Sequence, residues 1–439
     1  MQTIDTLIHG RWIVPVDPHD TVLEHHAIAV HDGKILELLP SEQAREKFQA
    51  DSVHELGSHL LIPGLINAHT HAPMNLLRGI ADDLPLMDWL QNHIWPAEAA
   101  HVSAEFVNDG VQLAMAEMLR GGTTCFNDMY FFPGESAKAA SQAGMRACVN
   151  AIVIDFPSAW ANSAEDYLRK GLEVQDQYRH DPLITTCFGP HAPYTVSDEP
   201  LQKIMMYADE LDMQIHMHIH ETAFEVEEAM RHTGKRPLAR LHDMGLLSPR
   251  LLAVHMTQLN DMEIELLAET GSHVVHCPES NMKLASGFCP VNRLLTAGVN
   301  VALGTDGAAS NNDLDMFGEM RSAALLAKVV SNDASAVSAG VTLAMATLNG
   351  AKALGLEQIT GSLTPGKVAD ITAVNLENIE TQPVYHPVSH LVYAAGREHV
   401  EHVWVQGKHL LKNRDLTTLD QKAILAKTRQ WHDKIRNFE

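Results

Sequence analysis

Basic residues are scarce in this chain: 32 lysines and arginines stand against 55 aspartates and glutamates, a formal net charge of -23 over 439 residues. That deficit argues against a nucleic-acid backbone or an anionic membrane as partner, since both select basic surfaces. It also makes a multiply phosphorylated substrate unattractive, and most of the acidity is read as serving solubility. Cysteine is sparse too. Cys125, Cys148, Cys187, Cys277 and Cys289 are an odd number, widely spaced and without a CxxC pair, so they read as reduced core residues of a cytoplasmic protein. No run approaches about eighteen consecutive apolar residues, and Met1-Gln2-Thr3-Ile4-Asp5 lacks a basic region. Neither membrane spanning nor export is expected.

What is present is a globular composition, 45% hydrophobic and 20% charged, in a chain too long for one ordinary core. Apolar runs at 61–68, 122–129, 145–154, 183–189, 213–219, 251–256, 272–277 and 299–304 alternate with segments of helical periodicity such as 103–120 and 261–269. Eight such alternations are the pattern of an α/β protein, a (β/α)8 TIM barrel over residues 61–364. Both ends read differently. Residues 1–60 hold short strands, with a hairpin signal at Asp32-Gly33, and Ala369–Leu376 and His402–Lys408 have the same character. Residues 1–60 and 365–439 are therefore expected to form one small β-sandwich domain from both termini, closed by a helix from about residue 415.

In a TIM barrel the chemistry lies at the C-terminal ends of the strands. Six of the eight expected strands end in a histidine or aspartate: His69 and His71 on the first, His191 on the fourth, His216, His218 and His220 on the fifth, His255 on the sixth, His276 on the seventh and Asp306 on the eighth. His69 and His71 alternate on a strand and so share a face, which makes them half of a site for zinc or a neighbouring metal. His216, His218 and His220 also share a face, so spacing cannot choose among them. A buried histidine is commonly a hydrogen-bonded core residue, and His216, His220 and His273 are read that way.

The stretches Pro63–His71, His218-Ile219-His220-Glu221, His255, Gly304-Thr305-Asp306-Gly307 and Gly361–Asp370 together resemble the amidohydrolase superfamily, over about residues 3–410. Further motifs, His71–Gly79, Asp82–Leu90, Trp95–Glu98 and Asp306–Asn312, are similar to deaminases of 5'-methylthioadenosine and S-adenosylhomocysteine. The resemblance implies one divalent metal, most readily Zn2+, held by His69, His71, His218 and Asp306; no lysine ends the fourth strand, where the two-metal branch places a carbamylated one. His218 is preferred because Glu221 lies three residues beyond it. The resemblance makes Glu221, His255 and Asp306 catalytic, and Glu98, His191, Trp89 and Glu221 the substrate contacts. In those relatives the residue at Glu98 grips the ribose hydroxyls.

Relatives that accept S-adenosylhomocysteine carry arginines after the third strand, whereas Asn150–Trp160 contains none. An apolar wall would leave a tail carboxylate unpaired at a cost of about 1–3 kcal/mol. The expected reaction is hydrolytic deamination of 5'-methylthioadenosine to 5'-methylthioinosine and ammonia, with S-adenosylhomocysteine or adenosine poorer. The expected partner is a small nucleoside, with no nucleic acid and no membrane, in a homo-oligomer. Rival readings are a guanine or 8-oxoguanine deaminase or triazine hydrolase of the same superfamily, and a non-catalytic barrel used for assembly.

Overall fold

The computed structural model describes residues 1–436; the last three positions of the terminal domain expected to reach residue 439 lie outside the described residues. Sixteen strands among them form two sheets of eight. One uses both ends of the chain: β1 (Gln2–Ile13), β2 (Leu23–His31), β3 (Lys34–Pro40) and β4 (Phe48–Pro63) from the start. The other is the barrel: β5 (Leu65–Thr70), β6 (Thr123–Asp128), β7 (Arg146–Val153), β8 (Ile184–Pro190), β9 (Ile215–Ile219), β10 (Leu251–His255), β11 (His273–His276) and β12 (Val301–Leu303). The terminal sheet resumes with β13 (Ile371–Asn375), β14 (Val400–Val405), β15 (Lys408–Lys412) and β16 (Asp415–Leu416).

Barrel strands pair in parallel in chain order from β5 to β12. At the seam the Asp306 amide donates to the His69 carbonyl at 3.0 Å. Asn67 locks the same seam, donating to Thr305 Oγ1 at 2.7 Å and accepting the Thr305 amide at 3.0 Å. A side chain at Gly304 would meet the His69 backbone nitrogen at 2.7 Å, so only glycine lets β12 come this close. The expected helical segments are Ala104–Arg120, with Ser103 capping the Phe106 amide, and Asp261–Thr270. Phe106, Phe126, Tyr167, Phe188 and Phe317 are fully buried, each stabilising the packed layers by roughly 1.5–3 kcal/mol.

In the terminal sheet the order is β16-β15-β14-β13-β4-β1-β2-β3. It curls so that Ile28, Val30 and Ile35 of one end share a core with Ile371, Ala373 and Trp404 of the other. Asp32 and Gly33 both take positive φ, 49° and 70°, as the predicted hairpin turn requires. The chain end differs from expectation. Asn413 and Arg414 turn at φ 49° and 66°, Asp415–Leu416 pairs back on β15, and the closing helix begins only at Gln421 and runs to Arg436.

A buried ion pair ties the sheets together: Arg146 of β7 donates through Nε to Asp370 Oδ2 at 3.0 Å, both side chains at most 2% exposed. Asp370 also accepts the Thr360 hydroxyl and the Gln406 amide. Among the described residues no helix is long and apolar enough to cross a membrane.

Candidate active site at the barrel mouth

Four side chains converge where β5, β9 and β12 end. His69 Nε2 and His71 Nε2 each lie 3.3 Å from Asp306 Oδ1, and His218 Nε2 lies 3.2 Å from His69 Nε2. His71 Nδ1 faces the Met129 carbonyl at 2.6 Å and His218 Nδ1 the His191 carbonyl at 2.7 Å. A carbonyl oxygen only accepts, so both rings carry a proton at Nδ1 and, when neutral, turn a lone pair inward at Nε2.

The donor set fits a divalent metal. Zinc–nitrogen bonds of about 2.0–2.1 Å in tetrahedral geometry hold ligand atoms roughly 3.3 Å apart, the separations found here. Electrostatics agree. Burial opposes a charge on His71, but the Asp306 carboxylate and the Met129 carbonyl outweigh it and carry its pKa up to about 9. His69, which touches the same oxygen but is wholly buried, is driven down to about 4 by that burial. Asp306 is pushed up by burial, yet its contacts with the two rings hold it well below the usual carboxylate range. Asp306 thus favours positive charge beside it, against the burial that lowers the pKa of His69 and His218.

The supports are local. Asp306 and His255 adopt φ of 64° and 75°, a left-handed backbone that costs about 1–3 kcal/mol in such residues and clusters at functional sites. Ser280 donates to Asp306 Oδ2 at 2.7 Å and the Gly307 amide to Oδ1 at 2.8 Å. His255 Nδ1 pairs with Asn281 Oδ1 at 2.9 Å, leaving its Nε2 3.9 Å from Glu221 Oε2. The backbone amides of His220 and Glu221 donate to Glu225, which fixes the turn that presents Glu221. Burial, chiefly, raises the pKa of Glu221.

These groups line one end of a cavity of about 540 Å3, a size that suits a nucleoside-sized molecule. Glu98 and Trp89 line it from the segment after β5, and His191 from the end of β8, its Nδ1 3.0 Å from Thr195 Oγ1. Glu98 Oε1 accepts the Tyr130 hydroxyl at 2.6 Å, and burial raises its pKa to about 6. Ile152 near the end of β7 and Ile154, Phe156 and Pro157 beyond it form an apolar wall. Among the described residues that line the cavity there is no lysine or arginine.

Every singled-out site residue thus touches this cavity except His69, which lies beneath it with its own Nδ1 buried and unpartnered. His276, offered by the seventh strand, is buried and does not line it. His216 sits deeper, against Asn127 and Asn150, and His220 accepts the Leu238 amide. Tyr130, Ser280 and Asn281 were not picked out from the sequence. Tyr130 lies just past the end of β6, and Ser280 and Asn281 follow β11, so polar residues just beyond the strand ends were the available signal.

The model of the Amidohydrolase family matches residues 60–410. The 5-methylthioadenosine/S-adenosylhomocysteine deaminase of Teredinibacter turnerae is 53% identical over 433 residues, 99% of this chain and 98% of that protein. The 5'-deoxyadenosine deaminase of Methanothermobacter thermautotrophicus is 46% identical over 376 residues, covering 86% and 87%. A crystal structure of an adenosine deaminase from Xanthomonas campestris with bound zinc superposes with a TM-score of 0.98 at 55% identity, covering 99% of each chain.

Proposed function

The chain belongs to the amidohydrolase family and is a hydrolase of carbon–nitrogen bonds, and from that premise we propose that it deaminates 5'-methylthioadenosine with one bound zinc ion. The observation that carries this reading is a cavity lined by His71, His218 and Asp306 with His69 beneath them, Glu98 on its wall and no lysine or arginine among its described lining.

His69, His71, His218 and Asp306 would hold the ion. When bound, it lowers the pKa of a water molecule from about 15.7 to about 7, which supplies the nucleophile at neutral pH. The protein's residues do the rest. Burial raises the pKa of Glu221, and in its protonated form it donates to N1 of the purine, so that the ring accepts electrons as water oxygen adds at C6. Asp306 takes the proton of the attacking water and passes it to the departing amine. His255, held by Asn281, keeps Nε2 toward the water and stabilises the adduct. The C6–N bond breaks as the hydroxyl proton of the adduct returns to Glu221, and 5'-methylthioinosine and ammonia leave.

Glu98 accepts the ribose hydroxyls. Each carboxylate oxygen takes two hydrogen bonds, so Tyr130 at Oε1 leaves room for both. Trp89 and His191 flank the bound nucleoside. The apolar wall of Ile152, Ile154 and Phe156 suits a methylthio group, whereas a tail carboxylate would stay unpaired there, costing about 1–3 kcal/mol. S-adenosylhomocysteine should therefore be the poorer substrate.

A reducing cytoplasm belongs to the same proposal, supported by five free, buried cysteines. So does a homo-oligomer, supported by Ile379 and Tyr385, which stand 93% and 89% exposed. The test is to incubate zinc-loaded protein with 5'-methylthioadenosine and S-adenosylhomocysteine, following ammonia release and the fall in adenine absorbance. Faster turnover of the methylthio compound is expected. No turnover by fully metallated protein refutes the reading, and equal turnover of both refutes the specificity argument.

A further inference from the structure

A second gathering of histidines lies on the terminal sheet, outside the barrel mouth. β4 supplies His54 and His59, β14 supplies Glu401 and His402, and β15 supplies His409. Consecutive strand residues normally point to opposite faces. Here the register of β13 against β14 slips, from Ala373 opposite His402 to Val374 opposite Val400. Glu401 is the extra residue of that bulge, which lets it and His402 both turn toward β4. Ala373, between the two strands, is too small to separate them.

His59 Nε2 lies 2.9 Å from Glu401 Oε2, while Asn375 donates to the other oxygen at 3.0 Å. One ligand atom each from His59, Glu401 and His402 falls within 4.8 Å of the other two. His402 Nδ1 faces His409 Nε2 at 3.2 Å, and the Trp404 ring stacks on His409 at 4.3 Å. His59 and His402 are each 5% exposed, and His54 and His409 stand half-buried above them. A hydrogen bond accounts for His59 and Glu401. It does not account for His402, whose ligand atom also reaches that pair, nor for the His409 ring nitrogen that faces His402. Mixed imidazole and carboxylate ligands are those of a zinc-type site.

We propose that His59, Glu401 and His402, with His409 beside His402, form a second site for a divalent transition-metal ion of the zinc class. None of these residues lines the substrate cavity, so the site is structural. It clips together two ends of the chain whose ligands, His59 and Glu401, lie 342 residues apart.

Equilibrium dialysis of the full-length protein against zinc, followed by metal analysis, tests this. Two ions per chain are expected for the wild type and one for the double variant His59→Gln/His402→Gln, whose deaminase activity should be unchanged. His218→Asn should also retain one ion, and cobalt in that variant should give the visible absorption of a tetrahedral site, lost on adding His402→Gln. One ion per wild-type chain overturns the proposal, as does a double variant that still binds two. Should the double variant not fold, a folded His218→Asn protein without metal overturns it equally.

Discussion

The barrel mouth and the terminal sheet gather histidines by opposite means. In the barrel, parallel strands deliver His69, His71, His218 and Asp306 from three separate strand ends to one point above the core, opening on a cavity of about 540 Å3. In the terminal sheet, β4 and β14, on either side of β13, bring His59, Glu401 and His402 together, with a bulge doing the work that the strand ends do in the barrel. Strand ends leave side chains free on the outer side, where a substrate can approach; a sheet face covers its residues with their own neighbours. Similar ligand chemistry thus suits catalysis in one place and cross-linking in the other.

The comparison breaks most sharply if the barrel donors prove dispensable. His218→Asn should lower kcat/KM for 5'-methylthioadenosine by more than about 10^4-fold, given the large drop in water pKa that depends on the metal. Steady-state assays with metal content measured alongside check it, and activity within tenfold would place the chemistry elsewhere. Next in size is the joint between the two regions. Asp370→Ala leaves Arg146 buried and unpaired, and should cost about 3–5 kcal/mol in urea unfolding. A shift under about 1 kcal/mol would mean that the pair contributes no more than a surface one.

The smallest effect sharpens the assignment of the cavity wall. Glu98→Gln removes hydrogen bonds to a charged acceptor worth roughly 1.5–3 kcal/mol, so KM for the ribonucleoside should rise about 10- to 100-fold. Burial raises the Glu98 pKa to about 6, with Tyr130 opposing the shift. A carboxylate with a raised pKa loses its charge earlier on acidification, so the wild-type KM should climb as pH falls through about 6, and the variant should show no such step. A pH-independent wild-type KM would remove Glu98 from ribose recognition.

Much of this architecture was legible in the chain. Seven of the eight apolar runs fall on β6 to β12, and Asp32-Gly33 makes the predicted hairpin. The first run, 61–68, straddles the end of β4 in the terminal sheet and the start of β5, because the chain passes from one sheet to the other at Pro63-Gly64. Residues at strand ends could be expected to meet because parallel closure leaves them no alternative. Other features were hidden. β4 runs for 16 residues, but its first half mixes exposed Asp51, Ser52 and Glu55, so no apolar alternation announces it. The turn at Asn413-Arg414 holds two left-handed residues without a glycine, which hid β16 and moved the closing helix to Gln421. His216, His218 and His220 share a face by alternation, and only their different depths and partners separate them.

By itself the sequence determined the order of strands and helices and which strand ends carry chemically capable side chains, because hydrophobic periodicity and the sites of histidine and aspartate are local properties. Only the tertiary structure decided the pairings across long separations: Tyr130 on Glu98, Asn281 on His255, Arg146 on Asp370 and His59 on Glu401. The physical reason is that a hydrogen bond depends on angstrom-scale placement of two side chains, and that placement is set by packing and by bulges, neither of which leaves a repeating mark along the chain.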